Sequence, residues 1–242
     1  MNKYGLIGKS LSHSFSKSYF SSFFIENKIN ASYDEFEIAN IDDVKSLLNS
    51  SVNGLNVTIP YKESIIPFLD ELSIEAKEIG AVNTIKITNG KTKGFNTDAF
   101  GFHQSIKPFL TNQHEKAIIL GTGGASKAVA YTLNNLGIDV FFVSRTPKEM
   151  PNHFLYNDLN KEMINACKLI VNTTPVGMYP NINDLIPIDY SFLSENHLCI
   201  DLIYNPKETL FLKNSIKNNA STLNGNHMLI EQAKESWKIW SK

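Results

Sequence analysis

The chain has 242 residues, a net charge of −1 and 19% charged residues. That length holds one large domain or two modest ones, and so nearly neutral a charge offers no bulk field to recruit nucleic acid or an anionic membrane surface. The two cysteines, Cys167 and Cys199, sit in or beside apolar runs, as free buried thiols of a reducing cytoplasm would. No C-x-x-C pair or His/Cys cluster suggests a metal. The opening apolar run is too short for a signal peptide, and no stretch approaches membrane-spanning length.

In chain order, residues 4–7 read as a first strand, followed by the hydroxyl-rich loop Gly8-Lys9-Ser10-Leu11-Ser12-His13-Ser14-Phe15-Ser16 and a helix over 17–27. The loop has two readings: turn chemistry with an N-cap, or hydroxyls at Ser14 and Ser16 that hold a carboxylate. Residues 33–38 form a strand, 42–49 a helix, and 54–59 a strand ended by Pro60. Lys62 follows directly. It is either solvated or, at the carboxyl end of a parallel strand, faces the crevice where open α/β sheets bind ligands. Residues 73–79 read as helical, and Gly80-Ala81-Val82-Asn83-Thr84 turns that helix into the strand 85–87. Asn89-Gly90 is a hairpin signal returning through Thr92 to Phe95. Asp98 then opens a helix running toward Leu110, as an ordinary first-turn carboxylate or as a working group.

The second half is organised around Ile118-Ile119-Leu120-Gly121-Thr122-Gly123-Gly124-Ala125-Ser126-Lys127-Ala128. An apolar run, a glycine cluster and helix-favouring spacing make strand, tight turn and helix. Gly121 supplies the backbone angles of the turn, and Gly123 lets a pyrophosphate approach the main chain. Unpaired amides at the helix start then face the phosphates, assisted by the helix dipole. Ser126 stands at the third position of the G-x-G-x-x-G pattern, so the fingerprint is imperfect, and a packing loop is the alternative. The next strand, 138–143, closes a βαβ unit of the length such units require. Where an NAD-binding unit places an acid for the ribose 2′-hydroxyl, this chain has Ser144-Arg145-Thr146. An acid would repel a 2′-phosphate, whereas Arg145 can pair with one, so the reading is NADP; a solvated arginine is the alternative. Residues 169–172 form another buried strand, followed by a loop at 173–178 that would lie beside a nicotinamide. A strand at 197–201 and helices at 209–217 and 226–240 complete the chain. The last helix carries the apolar stripe Leu229, Ala233, Trp237, Trp240, most simply core packing.

Taken together and in this order, the segments resemble the shikimate dehydrogenase family over nearly the whole chain. Ser14-Phe15-Ser16, Asn56-Val57-Thr58-Ile59-Pro60-Tyr61-Lys62, Gly80-Ala81-Val82-Asn83-Thr84 and Gly94-Phe95-Asn96-Thr97-Asp98 match the family's substrate domain. Gly121 to Ser126, Ser144-Arg145-Thr146, the stretch from Asn172 to Met178 and Asp201-Leu202-Ile203-Tyr204-Asn205-Pro206 match its NADP domain. Gly225 with Met228-Leu229-Ile230-Glu231-Gln232-Ala233 matches the segment that crosses back.

The resemblance implies an α/β, two-domain fold: an N-terminal α/β substrate domain, a Rossmann-like NADP-binding domain, and a C-terminal helix returning to the first. Residues 1–99 with 224–242 would form the substrate domain and 100–223 the NADP domain. It implies NADPH-dependent reduction of 3-dehydroshikimate to shikimate, in the cytoplasm, by a monomer or homodimer acting on small molecules. Ser14 and Ser16 would hold the substrate carboxylate with Tyr204 close by, and Thr58, Asn83, Asp98 and Gln232 would bond the ring hydroxyls. Lys62 and Asp98 would form the catalytic pair. Gly121, Thr122, Gly123, Gly124, Ala125 and Ser126 would hold the pyrophosphate and Ser144, Arg145 and Thr146 the adenosine phosphate. Leu202, Gly225 and Met228 would border the nicotinamide.

The chain also departs from the family pattern. Lys17, Phe20 and Ser21 stand where the family commonly has Pro and then His-Asn, which should alter packing only. Ser144 opens the ribose-phosphate motif in place of Asn, and Lys148 and Glu149 stand near the place of a second arginine. His227 replaces a small residue before Met228. Two rivals remain in view. A quinate-accepting relative would differ in how the ring's extra hydroxyl is met, and a non-catalytic NADP sensor would be expected to lose Lys62 or Asp98.

Overall fold

Strand and helix segments alternate along the chain, and in the computed structural model they form two sheets flanked by helices. Residues 1–11 and 14–242 are described; Ser12 and His13, from the hydroxyl-rich loop, lie outside the described residues. The chain divides into two compact units, Met1–Gly101 with Leu229–Lys242, and Phe102–Met228.

The first unit runs β1 (Asn2–Gly8), α1 (Phe15–Glu26), β2 (Ala31–Glu37), α2 (Val44–Leu48), β3 (Gly54–Val57), β4 (Glu71–Leu72), α3 (Ile74–Ile79), β5 (Thr84–Thr88), β6 (Lys91–Phe95) and the start of α4 (Asp98–Ile106). Its sheet has the order β2-β1-β3-β5-β6-β4. β1 lies parallel to β2 and β3, whereas β5 is antiparallel to both β3 and β6. Helix α1 begins two residues before the sequence reading, at Phe15, because Ser14 takes the N-cap position and accepts from the Lys17 N–H. Phe20 and Phe24, one turn apart on α1, are buried with Tyr4, Tyr33 and Trp240 in an aromatic cluster. Trp240 is fixed there by its indole N–H, which donates to the Ile85 carbonyl at 2.9 Å.

The second unit runs β7 (Lys116–Leu120), α5 (Gly124–Asn135), β8 (Asp139–Ser144), β9 (His153–Leu155), α6 (Lys161–Ala166), β10 (Leu169–Asn172), β11 (Leu198–Asp201), α7 (Leu210–Lys217), β12 (Ser221–Leu223) and the start of α8 (Asn226–Ser241). All its strand pairs are parallel, in the order β12-β11-β10-β7-β8-β9. From β7 the chain winds outward through β8 and β9, then returns to place β10 on β7's other side. That reversal puts the crevice of a doubly wound sheet at the carboxyl ends of β7 and β10. Both faces of this sheet are covered: Ala117, Ile119, Leu169 and Val171 enter one core layer, and Ile118, Leu120, Ile170 and Cys199 the other. Strands buried on both faces are apolar at every position, which is why these runs show no alternation in the sequence.

The changeovers between units fall inside helices because Phe102 and Ile106 of α4, and Met228 of α8, pack into the second unit's core. The strands β9 and β12 and the helix α6, of three, three and six residues, are too short to show a period in the sequence. Both cysteines are free and buried, and burial pushes Cys167 up to about 11 and Cys199 up to about 12. Among the described residues no helix is long and apolar enough to cross a membrane.

Candidate functional site

In the first unit, β1 and β3 run parallel with Ile7 opposite Val57, so the segments leaving their carboxyl ends share one edge of the sheet. Thr58 stays attached to that edge through its N–H to the Ile7 carbonyl (2.9 Å), and its own carbonyl accepts from the Tyr61 N–H (2.9 Å). The turn so formed delivers Lys62, whose backbone carbonyl accepts from the Val82 N–H at 2.7 Å, beside Asn83. The β5–β6 hairpin pairs Thr84 with Phe95 and brings the chain back to Asn96 and Thr97. Asn96 Oδ1 accepts from the Ala99 N–H (3.1 Å), closing the first turn of α4 with Asp98 in it.

Asp98 therefore occupies the first-turn position expected of a surface carboxylate, but it is not on the surface. Its Oδ2 accepts from Lys62 Nζ at 2.6 Å, with side-chain exposures of 15% for the lysine and 2% for the aspartate. Charge-assisted bonds of that length lie at the strong end of the range. Asn83 lies one residue contact away: its Oδ1 accepts from the Thr97 N–H (2.7 Å) and hydroxyl (3.1 Å). With the oxygen held by Asp98's neighbour, the Asn83 Nδ2 donors bond no described residue.

A buried polar network underlies this pair, and sequence reasoning had not singled it out. Asn56 Nδ2 donates to the Asn83 carbonyl (3.2 Å), Thr84 Oγ1 (3.0 Å) and Ser236 Oγ (2.9 Å), and its Oδ1 accepts from the Tyr33 hydroxyl at 2.8 Å. Ser236 comes from α8, one turn beyond Gln232 on the same helix face. Burial pushes the Tyr33 phenol well above its ordinary value, and the neighbouring Ser16 hydroxyl pulls it part of the way back. The first unit thus gathers Ser16, Asn83, Lys62 and Asp98 through a continuous set of contacts, with Ser14 as helix cap. A polar residue at 236 within an otherwise apolar helical stripe was the available signal.

In the second unit, Gly121 follows β7 at φ +109°, and an added Cβ would strike Thr173 Oγ1 and Thr174 Cγ2. Only glycine fits such a turn without strain. Gly123 is the N-cap of α5, and among the described residues no side chain caps the helix start at Gly124 and Ala125. A Cβ at Gly123 would meet nothing within 4 Å, so the main chain there is open to an approaching group, and this uncapped helix start suits a pyrophosphate. Ser126 is buried and returns its hydroxyl to the Gly123 carbonyl at 2.6 Å, a compact substitute for the third glycine. Thr122 lies within the same turn.

Ser144 ends β8, next to β7 at the same carboxyl edge. Its hydroxyl donates to the Thr146 carbonyl (2.6 Å) and therefore accepts from His153 Nε2 (2.8 Å). Ser144 shapes the turn, and the adjoining Arg145 is exposed with no ion-pair partner among the described residues. A guanidinium so placed suits a 2′-phosphate. Leu202 follows β11, and Gly225 packs so tightly on it that any Cβ would collide with the Leu202 carbonyl oxygen. Met228 is buried in the unit's core layer. Tyr204 belongs to this unit, in the stretch after β11, whereas Ser14 and Ser16 belong to the first.

Comparison with known proteins places this geometry in a lineage. A family model for the shikimate dehydrogenase substrate binding domain matches residues 6–85. The shikimate dehydrogenase (NADP(+)) of Methanosphaera stadtmanae is 37% identical over 256 residues, covering 98% of this chain and 90% of the relative. That of Aquifex aeolicus is 39% identical over 248 residues, with the same coverage of each chain. The solved structure of Thermus thermophilus shikimate 5-dehydrogenase, in complex with NADP(H) and shikimate, superposes with a TM-score of 0.89 at 28% identity, covering 100% of this chain and 94% of that one. The chain belongs to the shikimate dehydrogenase family.

Proposed function

We propose that this chain is an NADP-dependent oxidoreductase that interconverts 3-dehydroshikimate and shikimate, in the pathway leading to chorismate and the aromatic amino acids. The reading rests above all on the Lys62–Asp98 pair, a 2.6 Å ion pair buried beside Asn83 in the substrate half of the chain. The first unit, Met1–Gly101 with Leu229–Lys242, holds the substrate, and the second, Phe102–Met228, the cofactor; the division falls inside α4 and α8, a few residues from the 1–99 with 224–242 and 100–223 of the sequence reading. When bound, the cofactor would supply a hydride as NADPH in the reduction, leaving as NADP+, and would accept one as NADP+ in the oxidation. As the ketone carbon becomes an alcohol carbon, charge grows on its oxygen, and Lys62 Nζ gives that oxygen a proton. In the reverse direction the amine takes the hydroxyl proton back. Asp98 orients the ammonium and accepts from a neighbouring substrate hydroxyl.

Asn83 is suited to bond a second hydroxyl because its oxygen is already committed and its Nδ2 is not. Thr58 and Gln232 contact the remaining hydroxyls, and Ser14, Ser16 and Tyr204 bind the carboxylate. Each such group left unmet in a closed site costs about 1–3 kcal/mol, which favours a hydroxyl-rich substrate over an apolar one. Gly121 to Ser126 hold the pyrophosphate, Ser144 to Thr146 the adenosine phosphate, and Leu202 and Gly225, backed by Met228, border the nicotinamide. The reaction takes place in the cytoplasm, with the chain acting as a monomer or homodimer on small molecules, without nucleic acid or membrane. Purified protein given shikimate with NADP, and separately with NAD, tests the proposal: absorbance growth at the reduced-nicotinamide band with NADP is expected, and its absence with both cofactors refutes it.

A further inference from the structure

Strand β11 ends in Asp201, a carboxylate with no solvent exposure to which the chemistry above gives no task. Three segments of chain converge on it. Oδ1 accepts from Asn172 Nδ2 and from the Ile203 N–H, both at 3.0 Å, and Oδ2 accepts from the Thr209 hydroxyl at 2.6 Å. Asn172 ends the neighbouring strand β10 and is equally buried. With its Nδ2 claimed by Asp201, its Oδ1 must face the next loop, where it accepts from the Thr174 N–H (2.9 Å) and hydroxyl (2.7 Å). A flipped amide would set donor against donor there. The carboxylate thus sets the amide, and the amide sets the loop.

The same two loops are tied elsewhere. The Tyr179 N–H donates to the Asn205 carbonyl (3.1 Å) and the Leu202 N–H to the Asn172 carbonyl (3.0 Å). At the loop's start, Thr173 donates its N–H (2.9 Å) and its hydroxyl (2.7 Å) to the Leu120 carbonyl, against Gly121. The loop at 173–179 is therefore pinned by the glycine turn on one side and by Asp201 on the other.

We propose that Asp201 is a positioning residue that sets the two loops at the carboxyl edge of the second unit's sheet, residues 173–179 and 202–206, to receive the nicotinamide end of NADP; this rests on the cofactor reading above. Burying a carboxylate for stability alone is a poor bargain, since well-packed apolar groups do as well or better. What the acid offers is acceptor-only oxygens that can take donors from three separate segments at once. Burial pushes it up to about 6, with its three donors pulling the other way.

Two variants test this. Asp201→Ala removes the hub, whereas Asp201→Asn keeps one oxygen for Asn172 and Ile203 and asks only that Thr209 turn from donor to acceptor. Amide hydrogen exchange is read on the ligand-free protein, and NADP and NAD binding by calorimetry. In Asp201→Ala, exchange at Thr174 and Ile203 is expected to rise about tenfold or more while the β7 and β10 amides stay protected, and NADP affinity to fall about tenfold. The preference for NADP over NAD should be unchanged, because it lies at Arg145, and Asp201→Asn should restore both readouts. If Asp201→Ala does not fold, Thr174→Val, which cuts only the hydroxyl link to Asn172, is expected to loosen residues 173–179 and weaken NADP a few-fold. Unchanged NADP affinity in the folded variant, or protection lost evenly across the second unit's strands, overturns the assignment. An unaltered protein that binds no NADP overturns the cofactor reading, and the assignment with it.

Discussion

Replacing Lys62 by methionine separates the chemistry of the Lys62–Asp98 pair from its packing. Methionine keeps much of the lysine stem and removes the cation, leaving Asp98 in place at 2% exposure without its 2.6 Å partner. Breaking a buried pair on one side costs about 3–5 kcal/mol, and the lysine's partial exposure places this case near the lower end. Urea unfolding at neutral pH should therefore show a loss of about 3 kcal/mol, shrinking as acid neutralises the orphaned carboxylate. Turnover should fall by about 10²–10⁴, the range for losing a general acid–base group, while KM for shikimate moves little, since other residues hold the substrate. Adding Asp98→Asn should recover part of the stability, because no charge is left buried, without recovering turnover. The combined loss of activity should be smaller than the product of the separate losses, as for residues acting as a unit. A Lys62→Met enzyme with near-normal kcat would refute the proton role, and it would reopen the case for a non-catalytic sensor.

Three further outcomes are expected. Arg145→Ala should weaken NADP by about 1.5–3 kcal/mol and NAD hardly at all, with no change in melting temperature because the side chain is exposed and unpaired; equal loss for both cofactors would show that it does not read the 2′-phosphate. Changing Ser14 and Ser16 together to alanine should raise KM for shikimate while NADP affinity holds, and should cost about 1 kcal/mol of stability for the N-cap of α1; a collapse in melting temperature with normal KM in the active fraction would make the pair purely structural. Asp201 is raised from 3.8 to about 6 by burial, so the folded state holds its proton more tightly than the unfolded chain. The stability this confers is full below about pH 4 and is lost as pH rises through about 6, some 2–3 kcal/mol in all. Asp201→Asn should then match the parent's stability near pH 4 and exceed it at pH 7.5, and an equal difference at both pH values would contradict this.

Much of the fold is legible locally. The doubly covered strands 118–120 and 169–171 follow from unbroken apolar runs, and the Gly121 turn before α5 and the Asn89-Gly90 hairpin from backbone angles that glycine, and less freely asparagine, adopts. Arg145 is legible too, since it directly follows the strand that closes the βαβ unit. Other features are invisible to any local rule. Lys62 and Asp98 stand 36 residues apart, and either alone passes for a solvated charge. They meet because β5 and β6 fold back in register and return Thr97 to Asn83. Ser236 bonds Asn56 across 180 residues, which requires α8 to leave the second unit's core at Met228 and pack Trp240 on the first unit's sheet. Local sequence sets the strands and turns because neighbours along the chain dictate backbone angles and burial period. The ion pair, the polar network and the Asp201 hub were decided by tertiary structure, because a buried polar group's partner is chosen by strand register rather than by proximity in sequence.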